Sequence, residues 1–359
     1  MSFKDNFNVF VGGKSGIFKG VRVKEKSCVM KNIQNLVSIT DDHEVSCMTW
    51  GDDDEKEILV GCGSKGVRSV KTYDTENHSF KTSFVCELGE GNITGIARYN
   101  GNILTAVQSG QIKLWRQKEK EEFLLNAGEH LLRMRQAIQQ KNVIATGGLE
   151  NPLKLWDLNK KVNTFTAKNV SHDWLQLRVP IGVADLCFLT NNKQVVTVGR
   201  YGHIRLYDTK AQRRPVVNLE MKEESLTTVS TCADDRQVVC GTGRGRMNLV
   251  DLRKTGKILN TYKGPVGAVT SVAVSKMDSC IVSTSFDRYL YIHDVESKKL
   301  LKKVYLTSKL SSMVMRSEFS LKEPEKEENA EDSCEEIFDG SGEEYSDNDD
   351  SEDDDEESS

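Results

Sequence analysis

The sequence predicts an all-β fold of seven similar four-stranded sheets arranged radially, followed by an acidic tail. Three observations predict it. A strand-rich unit recurs with a period near 43 residues. Each unit alternates apolar and polar residues, is rich in Val, Ile and Thr, and is punctuated by Gly, which excludes a helical repeat array. The last 37 of the 359 residues abruptly lose their apolar content.

The units follow in order. The first is partial, Val9-Phe10-Val11-Gly12-Gly13 running on to Val21, with Gly16 one period before Gly66. The next six end in third-strand pieces: Val67 to Asp74, Ile112 to Arg116, Leu153 to Asp157, Ile204 to Asp208, Met247 to Asp251 and Tyr289 to Asp294. Their last residues are spaced by 42, 41, 51, 43 and 43 positions. Second-strand pieces precede each of them: Ile58–Cys62, Ile103–Val107, Val143–Gly147, Gln194–Val198, Gln237–Gly241 and Cys280–Thr284. A period of ~40–45 with a terminal Trp-Asp marks a WD40-type β-propeller. One literal Trp-Asp survives, Trp156-Asp157, and no unit opens with Gly-His, so spacing and strand pattern carry the assignment.

The first unit starts at its second strand. Beyond Asp294 two further strand-like pieces remain, Leu300–Leu306 and Ser311–Met315. The first is expected to complete unit seven and the second to supply the missing strand of unit one. The prediction is a seven-bladed propeller over residues 1–318, closed by a C-terminal strand. Ring closure leaves only short edges exposed to strand-to-strand aggregation.

Charge divides the chain. Residues 1–322 carry 48 Lys and Arg against 34 Asp and Glu, an excess of 14 positive charges. Residues 323–359 carry 20 acidic residues and a single Lys, an excess of 19 negative ones. A segment so poor in apolar surface cannot offset its chain entropy, so 319–359 is expected to be a disordered tail. Besides solubilising the chain, it could cover the basic body until a nucleic acid or basic protein displaces it. Ser333, Ser341, Ser346 and Ser351 each have Asp or Glu three residues on, which makes them candidates for acidophilic phosphorylation. Nine cysteines without a C-x-x-C pair argue for a reducing compartment and against a zinc ribbon. No secretory leader and no apolar run of membrane-spanning length is present, so no membrane partner is expected.

Little in the chain points to catalysis or a cofactor. Gly13-Lys14-Ser15 lacks the upstream Gly of a phosphate-binding loop, and Gly241 to Arg246 does not fit a dinucleotide fingerprint. The six His residues have no metal-ligand spacing, and Asp74, Asp157, Asp208, Asp251 and Asp294 recur once per blade, as backbone-binding residues would. The expectation is a non-enzymatic protein without cofactor, metal or small-molecule substrate. Binding candidates are easier to find. The interval of 51 between Asp157 and Asp208 exceeds the period by about eight residues. The excess holds Lys168, Asn169, Asp173, Trp174 and Arg178, the composition of an interaction hot spot on a loop. Basic residues are scattered elsewhere, including Arg116, Lys118 and Lys120, Arg133 and Arg135, Arg213 and Arg214, Arg244 and Arg246, and Lys302 and Lys303. Several on one face would contact phosphates without reading base sequence.

Several stretches resemble one family in particular. They are Val11 to Val21, Arg133-Met134-Arg135-Gln136, Ala145 to Leu158, Gln212-Arg213-Arg214-Pro215-Val216, and above all Ala167-Lys168-Asn169-Val170 with Asp173-Trp174-Leu175 and Leu177-Arg178-Val179-Pro180. Across essentially the whole propeller the chain resembles the WD repeat-containing protein 74 family, nucleolar assembly factors of the large ribosomal subunit. The resemblance implies a scaffold in large-subunit precursor particles, among their proteins and near pre-ribosomal RNA. It also implies support of pre-rRNA processing and release by an AAA-type ATPase. Members often carry a basic C-terminal stretch linked to nucleolar targeting, where this chain is acidic. The alternative is a generic nuclear or cytosolic adaptor that binds a peptide at the central opening without touching RNA.

Overall fold

The computed structural model describes residues 6–34, 43–63, 67–115, 123–190, 193–253 and 256–322. The serine candidates at 333, 341, 346 and 351, the acidic tail from 323, the basic residues 116, 118 and 120, and Gly66 lie outside them.

Among the described residues, twenty-eight strands form seven four-stranded antiparallel sheets. The N-terminal part gives β1 (Val9–Gly13), β2 (Phe18–Val23) and β3 (Cys28–Asn32). Six meanders then run from the inner to the outer edge of successive blades. They are β4–β7 (Val45–Trp50, Glu57–Cys62, Ser69–Asp74, Ser79–Val85), β8–β11 (Ile93–Tyr99, Asn102–Val107, Gln111–Trp115, Phe123–Asn126) and β12–β15 (Leu131–Gln136, Val143–Gly148, Lys154–Asp157, Val162–Thr166). The remaining three are β16–β19 (Val183–Phe188, Gln194–Gly199, His203–Asp208, Val217–Glu220), β20–β23 (Leu226–Thr231, Gln237–Thr242, Met247–Asp251, Lys257–Tyr262) and β24–β27 (Val269–Val274, Cys280–Ser285, Tyr289–Asp294, Leu300–Tyr305). The last strand, β28 (Leu310–Met315), returns to the start and pairs with β1, Val9 opposite Met315 and Val11 opposite Met313. The seven-bladed ring and its closure by a C-terminal strand are those the sequence predicts.

Burial explains which pieces of the repeat were legible. Second strands are sandwiched between neighbouring blades, so β25 is buried at all six positions and reads as a continuous small or apolar run. Outer strands are wet: β7 and β15 are mostly exposed and polar. The core consists of clusters between adjacent blades, such as Phe10, Phe18, Val45, Ile58 and Tyr73 between the first two. Close approach there requires glycine in the second strands. A Cβ on Gly12 would lie 2.4 Å from Val45 Cγ1, and one on Gly241 2.8 Å from Val269 Cγ1.

The recurring aspartates cap hairpins. Asp74 Oδ1 accepts the backbone N–H groups of Glu76 and Asn77, Asp157 Oδ1 that of Asn159, Asp208 Oδ1 that of Lys210, Asp251 Oδ1 that of Arg253 and Asp294 Oδ1 those of Glu296 and Ser297. Each Asp thus fixes the turn from third to fourth strand. Two blades hold a Trp–Thr hydrogen bond across the sheet, Trp115 Nε1 to Thr105 Oγ1 at 2.8 Å and Trp156 Nε1 to Thr146 Oγ1 at 2.9 Å.

All seven inner strands carry a bulge at their second residue: Ser46, Thr94, Leu132, Ala184, Thr227, Thr270 and Ser311. Five of these are hydroxyl residues that donate to a carbonyl of the adjacent strand. Thr227 and Ser311 also donate to the first residue of the next blade's inner strand, Val269 and Val45. The bulge turns a polar group towards the neighbouring blade and links the ring.

The chain beyond 318 is packed as well. Phe319 and Leu321 are buried in the cluster of the seventh and first blades, Ser275 Oγ donates to the Phe319 carbonyl at 2.7 Å, and the Leu321 carbonyl accepts the Glu25 N–H. The tail boundary expected at 319 falls inside this strap, whose two apolar side chains were hidden among flanking polar residues.

Candidate interaction surface

One face of the ring is made by the loops joining second to third strands and those joining one blade to the next. On that face the connection 167–182 rises between the fourth and fifth blades. Its stem is pinned at several points. Lys168 N–H donates to the Arg213 carbonyl at 2.8 Å. Asn169 Nδ2 donates to the Val179 carbonyl at 2.7 Å and Asn169 Oδ1 accepts the Val170 N–H, so this side chain crosses the stem. Glu150, on the neighbouring loop, accepts the Ile181 N–H at 3.0 Å and an ion pair from Arg178 at 2.7 Å.

The tip is a turn built on Asp173. Its carboxylate Oδ1 accepts the N–H groups of Leu175 and Leu177 at 2.9 and 2.8 Å, while its backbone carbonyl accepts the Gln176 N–H. Gln176 takes a left-handed conformation, φ 60°, to close the turn. The outcome is an ordered apolar tip. Trp174 is 87% exposed, with Leu175 and Leu177 also more than half exposed. Tyr201, exposed on the adjoining loop, packs over Gly182 at the foot of the connection, where a Cβ would sit 2.8 Å from Tyr201 Cε2. Three large apolar side chains, Trp174, Leu175 and Leu177, therefore face solvent at the tip, with Tyr201 exposed at the foot of the same connection. Exposed apolar side chains gathered on an ordered turn are the kind of surface that a partner can bury.

Of the sequence candidates, Lys168, Asn169, Asp173, Trp174 and Arg178 thus come together in this loop. Arg213 joins them from the long turn of the fifth blade, with Nε donating to the Thr166 carbonyl at 2.8 Å. Arg214 beside it is exposed.

Arg133 and Arg135 lie elsewhere, on inner strand β12. Both turn to Asp185 of β16. Arg135 Nη2 reaches Asp185 Oδ2 at 2.9 Å with a second bond from Nε to Oδ1, and Arg133 Nε lies 3.1 Å from Oδ1. Asp185 is fully buried, whereas 43% of the Arg135 side chain stays exposed. From the opposite side Thr228 Oγ1 and the Val229 N–H, on β20, donate to Oδ2 at 3.1 and 3.2 Å. One carboxylate so links three consecutive blades. Burial pushes its pKa up, but the two guanidinium groups and the hydrogen bonds outweigh this and hold it below the ordinary Asp value. Sequence reading passed over Asp185, although a lone charge inside the apolar run Val183–Phe188 is a signal. The nearby thiols of Cys47 and Cys187 are pushed up to about 12 by burial, so neither is a reactive nucleophile.

Among the described residues no cluster of His, Cys, Asp and Glu could hold a metal ion, and no helix is long and apolar enough to cross a membrane.

The pattern of the WD domain, G-beta repeat matches residues 256–294. That stretch covers β23 to β26, the outer strand of the sixth blade and three strands of the seventh, so the sequence repeat is offset from the structural blade by one strand. The chain is 35% identical over 316 residues to WD repeat-containing protein 74 of Bos taurus and of Homo sapiens, covering 86% of this chain and 80% of each relative. It is 29% identical over 209 residues to ribosome biogenesis protein NSA1 of Meyerozyma guilliermondii, covering 49% of this chain and 52% of that one.

Proposed function

The chain belongs to the WD repeat-containing protein 74 family, and from that premise we propose that it is a non-enzymatic ribosome biogenesis factor, a rigid scaffold that docks on large-subunit precursor particles through the Trp174 loop. The related ribosome biogenesis proteins support the process. The ordered, exposed Trp174 tip carries the site.

The physical reasoning is short. A Trp held ready by the Asp173 turn loses little conformational freedom on docking, so most of its burial appears as affinity. Leu175, Leu177 and Tyr201 extend the apolar contact, and Lys168 and Arg214 at its margin favour a particle rich in phosphate. The scaffold would work in the nucleolus, hold particle proteins near pre-rRNA, support its processing and leave when an AAA-type ATPase removes it. Residues 323–359, with their four candidate serines, would tune this association through charge.

Trp174→Ala is expected to leave the melting temperature unchanged, because the ring is not packed on this side chain. It should cost about 2 kcal/mol or more in docking, roughly thirtyfold in affinity. Co-sedimentation with precursor particles from nuclear extract checks this. Reversing Arg178, Arg213 and Arg214 should lower association further at low salt than at high salt. Association of the Trp174→Ala protein at the wild-type level would remove the site.

A further inference from the structure

A second feature, which shares Arg213 with the Trp174 loop but not Trp174 itself, lies at the outer rim of the same two blades. Here a cleft of about 430 Å3 separates β15 from the turn 209–216. Its walls are Asn163, Thr164 and Thr166 on one side and Lys210, Gln212 and Arg213 on the other. We propose that this cleft binds an extended acidic peptide segment of a partner protein, which adds a fifth strand to the fourth blade.

Three observations lead there. First, β15 is the last strand of its sheet, and among the described residues it pairs with β14 alone, so no other described strand covers its outer edge of N–H and C=O groups. Second, the turn of the fifth blade already bonds to the chain just past that edge. The Arg213 carbonyl accepts the Lys168 N–H and Arg213 Nε donates to the Thr166 carbonyl, both at 2.8 Å. A peptide along residues 162–165 would continue the contact that this turn begins. Third, the charge in the cleft has one sign. Lys210 and Arg213 line it without any carboxylate among the lining residues. Behind it, Arg205 is buried on the same face of β18 as Tyr207, which packs with Phe165 of β15. Arg205 Nε bonds the neutral Asn218 at 3.0 Å, one guanidinium nitrogen is buried without a hydrogen bond, and no carboxylate pairs with it among the described residues. A buried cation without a carboxylate partner favours an anionic occupant nearby.

The choice of a peptide over a nucleic acid rests on the walls. Strand addition draws affinity from main-chain hydrogen bonds, and the hydroxyl and amide side chains here can pair with amide groups of a passing strand. Single-stranded nucleic acid is gripped by exposed aromatic rings, and the one ring lining this cleft, Phe165, is buried.

Fluorescence anisotropy with the full chain tests this, using a labelled heptapeptide of alternating Glu and Val. Saturable binding is expected. Lys210→Glu, an exposed position, should weaken it about tenfold. N-methylation of one alternate set of peptide amides should abolish binding while methylation of the other set is tolerated, the signature of strand pairing. Trp174→Ala should leave this binding unchanged, which separates the cleft from the docking loop. No binding at millimolar peptide, equal tolerance of both methylated sets, or an oligouridine that binds more tightly and is equally weakened by Lys210→Glu would each overturn the proposal.

Discussion

A chain ending at Thr307 is expected to yield no soluble propeller. Such a truncation removes β28 and the strap that follows it. β28 buries Leu310, Met313 and Val314, and the strap buries Phe319 and Leu321. Full burial of such side chains contributes about 1.5–3 kcal/mol each, so the loss approaches or exceeds the ~5–15 kcal/mol that holds a typical domain together. The damage is also structural. β1 would keep its pairing with β2 but offer a bare inner edge, and the inner strands of the second and seventh blades would lose their neighbour. Size-exclusion chromatography and thermal melting of the truncated and full chains check the expectation. A soluble monomer with an unchanged melting curve would mean that the ring does not depend on this closure. Ending the chain at Lys322 should leave the melt intact.

Replacing Asp185 by Ala is expected to cost about 3–5 kcal/mol, as removal of one partner from a buried ion pair does. The carboxylate accepts from Thr228, Val229 and Leu186 besides Arg135, with Arg133 as a second ion-pair partner, and the donors on β16 and β20 are buried. Arg133 and Arg135 reach solvent in the opening and tolerate the change better, so the figure belongs at the lower end. In a melting experiment this reads as a drop of roughly 5 °C or more. The pH dependence has a definite sign. The folded-state carboxyl titrates below its unfolded value, so the full contribution is present above about pH 4 and fades as the pH falls through the depressed folded value. The gap between wild type and variant should therefore be constant near neutrality and narrow in acid. A gap independent of pH down to the acid limit would show that Asp185 acts by shape alone.

The ring was legible because its second and third strands obey simple rules. Strands such as β17 and β25 lie between two sheets, so they must be apolar or small at nearly every position, and their spacing survives when the Trp-Asp and Gly-His signatures do not. The capping aspartates were legible for the same reason, since one turn needs one acceptor. The loop at Trp174 was visible as extra length, and its ring is exposed.

Direction was not legible. Arg133 and Arg135 read like Arg213 and Arg214, as basic residues among polar neighbours. Only the three-dimensional arrangement sets the first pair on an inner strand facing Asp185, 50 residues away for Arg135. The rim cleft was equally hidden, because it combines the edge of one blade with a turn of the next, and neither segment alone carries a pattern. Phe319 and Leu321 escaped notice since two apolar residues are too few to set a period.

The pairing of residue 9 with residue 315 also has a consequence in time. Strands with neighbours close in sequence can meet while the polypeptide is still being made, but β1, which finds β2 early, must wait for nearly the whole propeller before its second partner, β28, exists. During synthesis the nascent arc therefore has two raw ends, one at each terminus of the unfinished circle. A cell short of chaperones should lose this protein at that stage, through arcs joining one another, before any defect in the finished molecule could be felt.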